Sequence, residues 1–246
     1  ELEPLPSADG NNIKILGDRE NNDDIQRITL DYVYARDDDD VRQKYGTEMY
    51  KVNGKTIQDY MESPIEVESG KTLEIVINAL DHMRHPWHMH GHQFQVISLG
   101  EKRDGTLRLG GEDEETTVSD AEKKYHEDLQ YWIKSGKTPM TRDSINIEGG
   151  SFAVLRIEPN RPGDWLLHCH VEWHVAKGLG VVIRELPKPS QQSQQQPQWQ
   201  QSNEPSSQTN SNETMTKDFS TSKVKVLSIY FLIMSILDVI LYWIII

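Results

Sequence analysis

Apolar and polar residues alternate with a period of two along several short stretches of this chain. "RITLDYVY" (27–34), "IEVESGKTLEIVINAL" (65–80, broken at Gly70), "FQVISLG" (94–100), "SINIEGGSFAVLRIE" (144–158), "DWLLHCHV" (164–171) and "LGVVIREL" (179–186) all read as strands. "YKVNGKTI" (50–57) centres on Asn53-Gly54, the dipeptide that best tolerates the positive φ angles of a two-residue hairpin turn. Many short strands punctuated by Gly and Pro predict an all-β fold, an antiparallel β-sandwich or barrel. Residues 25–187 suit one domain of that kind. The exception is Asp120–Ser135, which has no period of two and predicts a short surface helix.

The pattern changes at both ends. Residues 1–24 are polar and irregular, as expected of a linker or the end of a preceding domain. Residues 188–223 are dominated by Gln, Ser, Asn and Pro, a composition that buries too little apolar surface to fold, so a disordered stalk is expected. Asn212-Glu213-Thr214 within it is a glycosylation sequon. Residues 224–246, "VKVLSIYFLIMSILDVILYWIII", carry only Lys225 and Asp238 as charges and show no polar face at helical period. A run of that length spans a bilayer as a C-terminal hydrophobic helix. Small residues near 210–212, a polar spacer and a terminal apolar tail equally fit a GPI-attachment signal. Either reading tethers the domain to the outer side of a membrane. The chain opens on Glu1 with nothing resembling a signal peptide, which suggests a piece of something longer.

Charge narrows the partners. Lys and Arg number 26 against 39 Asp and Glu, 26 − 39 = −13, which argues against nucleic acid. The acidic runs at 37–40 and 112–115 read as solvated loops. A single cysteine, Cys169, excludes a disulfide within these 246 residues and leaves the compartment open.

The chemistry is concentrated in histidine. Of nine histidines, eight fall in two segments: His82, His85, His88, His90 and His92 in "HMRHPWHMHGHQF", and His168, His170 and His174 in "HCHVEWH". His126 stands apart and reads as a surface residue. Side chains at i and i+2 of a strand share a face, and i+1 takes the other. His168 and His170 therefore look one way and Cys169 the other, so one strand can feed two metal sites. His88 and His90 repeat the pattern, while His85, displaced across Pro86, is free to join a different site. A thiolate with two imidazoles is the ligand set of a mononuclear blue-copper centre, and Cys169, His85 and His174 can supply it. Zinc is the competing metal, although it usually takes more thiolates and has no use for histidines aimed away from the cysteine. A chance cluster in a β core is the bland alternative.

The two segments resemble the third and fourth copper-binding motifs of the multicopper oxidases, the family of laccases, ascorbate oxidases and ferroxidases. H-x-x-H-x-H is met by His85, His88 and His90, and H-C-H-x-x-x-H by His168, Cys169, His170 and His174. "HPWHMHGHQF", the "VNG" turn and "PMTRDSI" extend the likeness over roughly 25–187. The resemblance implies a cupredoxin-like, plastocyanin-like Greek-key β-sandwich, the last of three in the family. It implies type 1 copper at His85, Cys169 and His174, type 2 copper at His88, and the binuclear type 3 copper at His90, His168 and His170. Single electrons from a reductant would enter at type 1 copper, pass through the Cys169 backbone to His168 and His170, and reduce O2 to water. Leu179, ten residues after the cysteine, would occupy the axial position without ligating. Glu172 falls where the family carries an acid implicated in proton delivery, with an ordinary exposed carboxylate as the alternative. Met89 stands where leucine is commoner and reads as packing.

A complete trinuclear cluster in that family needs four more histidines, from two H-x-H motifs in upstream cupredoxin domains, and no such pair exists here outside the two segments. The chain by itself is therefore expected to be incomplete as an oxidase. Asp81 lies four residues before His85, the spacing at which fungal ferroxidases carry an acid that helps hold Fe(II). Its alternative is to cap a turn after "VINALD". The resemblance thus favours Fe(II) over phenols or ascorbate as the reductant. The other class of function is a single-domain blue-copper protein that only transfers electrons, which would leave four histidines without a role. A degenerate adhesion or scaffold domain is a third.

Overall fold

The computed structural model describes residues 15–17, 25–102, 104–109 and 119–188. The chain divides into a unit of residues 1–196 and a second of 197–246, and the second lies wholly outside the described residues. So do the acidic run 112–115, the sequon, nearly all of the stalk and the apolar tail 224–246. Among the described residues no helix is long and apolar enough to cross a membrane.

Among the described residues, eleven strands form two sheets. The first holds, in spatial order, β2 (Met49–Val52), β1 (Ile25–Ala35), β4 (Thr72–Ala79), β9 (Phe152–Ile157), β6 (Phe94–Leu99) and β7 (Thr141–Arg142). The second holds β3 (Ile65–Glu68), β11 (Gly180–Leu186), β10 (Gly163–Cys169), β5 (His85–Met89) and β8 (Ser144–Ile147). Alternation explains the core between them. Leu73, Ile75, Ile77 and Ala79 of β4 and Ala153, Leu155 and Ile157 of β9 meet Trp87, Met89, Leu167, Cys169, Val181 and Ile183 of the second sheet. This is the β-sandwich expected of a cupredoxin-like domain, but its sheets are mixed and not wholly antiparallel. β1 runs parallel to β4, and β3 parallel to β11. The turn at Gly70 sends β3 and β4 to different sheets, so neighbours in sequence do not pair.

The far face of the first sheet is also covered, which is why β4 is buried on both sides. Glu74, Val76 and Asn78 point there. Val76 joins Ile15, Ile97, Leu107, Phe152 and Val154 beneath α3 (Asp120–Ser135), which contributes Ala121 and Tyr125. Ser119 caps that helix and Gly136 ends it in the left-handed conformation, matching the range expected from the sequence. Glu74, fully buried, binds Arg27 at 2.6 Å and Arg156 at 2.7 Å, and accepts from the Tyr125 hydroxyl at 3.2 Å. Arg156 also donates to the Leu16 carbonyl at 2.8 Å, so residues 15–17 pack on the domain and are not a free linker.

α3 is not the only helix. After Asn53-Gly54 both residues take positive φ as expected, and Val52 and Lys55 pair across the turn, but the second arm becomes α2 (Ile57–Glu62), not a strand. The reason is local: Thr56 and Asp59 form a reciprocal capping box. The acidic run 37–40 is loop only at Asp37 and Asp38, and its last two residues open α1 (Asp39–Tyr45). Asp38 accepts from Val41 N at 3.0 Å, and the following aspartates sit at the positive end of the helix dipole. The fourth helix, α4 (Glu172–Ala176), carries His174.

Candidate metal centre

β10 and β5 are antiparallel neighbours with Leu167 opposite Met89, His168 opposite His88, and Cys169 opposite Trp87. Directly opposed residues share a face, so this register fixes two sides. Cys169, Trp87 and Leu167 face the core. His168 and His88 face away from it. His85 lies three residues before His88 and so has the opposite parity, which turns it inward toward Cys169.

On the inner side, His174 enters from α4. Cys169 Sγ lies 3.6 Å from His85 Nδ1 and 3.4 Å from His174 Nδ1, and the two nitrogens are 3.1 Å apart. A metal about 2.0 Å from each nitrogen and about 2.3 Å from sulfur, at the centre of a trigonal set, sets edges of about 3.5–3.8 Å. The observed triangle is within a few tenths of an ångström of that. Among the described residues no fourth His, Cys, Asp or Glu joins it. Leu179, fully buried, packs in the same core, its carbonyl accepting from Cys169 N at 3.1 Å. Three strong donors with an apolar neighbour fit copper better than a four-coordinate structural zinc.

The surroundings orient these ligands. His85 Nε2 lies 2.9 Å from Asp81 Oδ2, and Asp81 Oδ1 accepts from Met83 N at 3.2 Å. Asp81 therefore both caps its turn and holds the imidazole, with its side chain only 6% exposed. Tyr32 and Tyr50 stand edge-on to the His85 ring at centroid distances of 5.0 and 5.6 Å. Burial pushes the Cys169 thiol up to about 11, and burial followed by repulsion from His85 lowers His174. A bound cation would reverse the thiol's preference, because the metal's charge favours thiolate.

On the outer side, His88, His90, His168 and His170 converge. His90 Nε2 is 3.0 Å from His168 Nε2, and the His170 ring lies 5.4 Å from His88 and 5.7 Å from His168. His88 Nδ1 donates to the Asp143 carbonyl at 2.9 Å, and His168 Nδ1 to the Cys169 carbonyl at 2.8 Å. A carbonyl only accepts, so both rings keep Nε2 as the free ligand atom. Burial lowers the pKa of both His90 and His168, holding them neutral as metal binding requires. Two nitrogen lone pairs 3.0 Å apart need a proton or a cation between them.

The remaining residues fall outside both groups. Met89 is buried in the core, as its parity predicts. Glu172 opens α4 and is exposed. His82 and His126 are exposed. His92 is buried with Nε2 2.7 Å from Glu185 Oε1, and so ties the loop after His90 to β11. Sequence reasoning missed Tyr32, Tyr50, Asp143 and Ser144 around the ligands. Each sits 35 to 56 residues from the β5 histidine it touches, and no local pattern pairs it with that ring.

A profile of the multicopper oxidases matches residues 10–189. A putative multicopper oxidase of Saccharomyces cerevisiae, GMC1, is 46% identical over 222 residues, 90% of this chain and 35% of that protein. The iron transport multicopper oxidase fio1 of Schizosaccharomyces pombe is 36% identical over 49% of this chain and 16% of its own. Laccase-2 of Cryptococcus neoformans var. grubii is 36% identical over 52% of this chain and 18% of its own. The crystal structure of Fet3p, a multicopper oxidase that functions in iron import, covers 75% of this chain and 37% of its own at 22% identity, with a TM-score of 0.48. The chain thus spans about a third of the length of GMC1.

Proposed function

The chain belongs to the multicopper oxidases, copper-dependent oxidoreductases, and on that premise we propose that it supplies the electron-accepting site and half of the oxygen-reducing site of a longer oxidase. The observation that carries this reading is the back-to-back arrangement on β10: Cys169 turned inward to His85 and His174, and His168 and His170 turned outward to His88 and His90. In it His85, Cys169 and His174 would hold type 1 copper, His88 type 2, and His90, His168 and His170 the type 3 pair. Copper bound there would supply one-electron oxidation of a reductant and four-electron reduction of O2 to water.

The protein's own groups prepare that chemistry. Asp81 fixes the tautomer of His85 by accepting from Nε2, which leaves Nδ1 for the metal. The Asp143 and Cys169 carbonyls do the same for His88 and His168. The Cys169 carbonyl, accepting from His168 Nδ1 at 2.8 Å, also closes a route between the two donor sets through the Cys169 side chain and backbone. Glu172, exposed and two residues after His170, is our candidate for delivering protons to the cluster. An electron-transfer protein with a single blue-copper site would leave the four outward imidazoles unexplained. Four further imidazoles would come from upstream domains of the same protein.

For the reductant, Fe(II) is favoured over phenols or ascorbate, on the contact of Asp81 with His85. A carboxylate is a hard oxygen donor and offsets the charge of the ferric product. The apolar run 224–246 and the polar stalk before it support a tether at the outer surface of a membrane. Oxygen consumption by the full-length protein, measured with Fe(II), a diphenol and ascorbate in turn, tests the assignment. Fe(II) should give the highest kcat/KM, and Asp81→Ala, compared with the wild type at equal copper content and visible absorption, should lower it for iron more than for the diphenol. Equal loss for both would sink the iron reading and leave the oxidase intact.

A further inference from the structure

The inner donor set touches a chain of aromatic rings that leads to the surface. The Tyr50 ring centroid lies 5.3 Å from His174 and 5.6 Å from His85, and Tyr34 lies 4.8 Å from Tyr50. Tyr34 is half-buried, and its hydroxyl donates to Glu48 Oε2 at 2.9 Å, while Arg42 holds Glu48 Oε1 at 2.8 Å. Electron tunnelling weakens exponentially with distance, so two short hops between oxidisable rings outrun one long jump. We propose that Tyr50 and Tyr34 form a redox relay that drains an oxidising equivalent from the Cys169–His85–His174 site and lodges it on Tyr34. The proposal rests on that site holding copper.

The direction follows from where protons can go. A phenol that loses an electron becomes strongly acidic and is trapped as a neutral radical only if a base takes its proton. The Tyr50 hydroxyl is buried and reaches no acceptor among the described residues, so an electron missing from Tyr50 is replaced from the next ring. Tyr34 has Glu48. Its O–H bond breaks, the proton passes to the Glu48 carboxylate, and one electron moves through Tyr50 to the oxidised metal site, which is reduced by one. An external one-electron reductant, a thiol or ascorbate, returns the electron to Tyr34, and Glu48 returns the proton. The other branch is a dead end. Tyr32 also touches His85 and leads to Trp87 at 5.3 Å, but among the described residues no carboxylate stands within hydrogen-bond distance of the Tyr32 hydroxyl or Trp87 Nε1 to take a proton. Trp173, half exposed, touches both Tyr34 and His174, at 5.8 and 5.4 Å, and is the competing terminus.

The relay matters when the oxidase is charged with oxidant and short of reductant, because damage then falls on the ligands themselves. The full-length protein is loaded with copper, its copper content and visible absorption are recorded, and it is oxidised with hydrogen peroxide in the absence of reductant. Freeze-quenched samples are read by electron paramagnetic resonance, and oxidised side chains are located by peptide mass spectrometry. The wild type should show a tyrosyl radical that Tyr34→Phe and Tyr50→Phe abolish. Glu48→Gln keeps an oxygen for the hydrogen bond but cannot take the proton, and should also lose the radical. All three variants should gain oxidation at His174 and Trp173. Tyr50→Phe removes a hydroxyl without partners and should fold at least as well as the wild type, so a loss of signal there is not a loss of structure. An unchanged radical in Tyr34→Phe, a radical on Trp173 in the wild type, or none at all in copper-loaded, coloured protein overturns the relay. Failure to take up copper overturns the underlying site assignment instead.

Discussion

The carboxylate of Asp81 lies 2.9 Å from Nε2 of His85, while Nδ1 of the same ring faces the Cys169 sulfur at 3.6 Å. One imidazole thus joins a buried carboxylate to the Cys169 sulfur, which would be the thiolate ligand of a bound copper. Carboxylate–histidine–metal chains of this kind fix ring orientation and raise ligand basicity, and loss of the outer partner costs roughly 10–100-fold in metal affinity or activity. Asp81→Ala should weaken copper binding at the Cys169 site by about that factor, with little effect on copper held by the outer histidines. Competition with a chelator of known affinity, read at the visible band and by total copper, separates the two.

Removing the sulfur should remove the colour and spare the other cluster. Cys169→Ser replaces the only thiolate ligand, so intense visible absorption after copper loading should vanish. The four outward imidazoles keep their contacts, and copper bound to nitrogen should persist in the electron paramagnetic resonance spectrum. A visible band of undiminished intensity in this variant would refute the ligand assignment.

The metal-free protein should be most stable between two pH windows. His90, His168 and His174 have folded-state pKa values below 6.5, so the unfolded chain binds more protons as pH falls past that value. Their contribution is therefore full above about 6.5 and lost as pH falls through their lowered values. Cys169 has the opposite sign: raised from 9.0 to about 11, its contribution is full below 9.0 and lost as pH rises through 11. Denaturant midpoints measured across pH should fall on both sides. Copper should flatten the alkaline limb, because it holds the sulfur as thiolate, and its binding should release a proton detectable by calorimetry in buffers of different ionisation enthalpy.

Gly149 supports the Asp81 turn from below. A Cβ built there would lie 2.2 Å from the His82 carbonyl carbon, a backbone atom that cannot step aside. Gly149→Ala should cost about 1–3 kcal/mol of stability, as overpacking does, and should displace Asp81 from His85. The expected result is a lower denaturation midpoint together with a shifted visible band. A normal midpoint with a normal spectrum would show the contact to be slack.

A stability change without a spectral change is expected at the opposite face of the first sheet. Glu74→Gln leaves Arg27 and buried Arg156 without their carboxylate. Breaking such a buried pair from one side costs about 3–5 kcal/mol. Urea unfolding should register that loss while the absorption of the copper-loaded folded protein stays unchanged.

Much of this was legible locally. The period of two in "HCHVEWH" already placed Cys169 opposite to His168 and His170, and the same parity rule, applied from His88 back to His85, turns that ring inward. The range of α3 followed from the loss of strand periodicity. Other elements were not legible from alternation. The hairpin expected after Asn53-Gly54 yields to α2 because a capping box at Thr56 and Asp59 outweighs the strand pattern beyond the turn. The parallel pairings of β1 with β4 and β3 with β11 involve residues dozens of positions apart.

The sequence by itself determined which residues can bind metal and which faces they take, because side-chain direction along a strand is set by the residue's immediate neighbours. Only the tertiary structure decided what meets. His85 and His174 are 89 positions apart and lie 3.1 Å from each other because β5 pairs with β10 in one register, and a slip by a single residue would turn Cys169 away from both. Asp81 as a buried partner of His85, and the path from His174 through Tyr50 and Tyr34 to Glu48, arise from packing between two sheets and a loop. Such contacts depend on the whole chain's closure, which no stretch of residues encodes on its own.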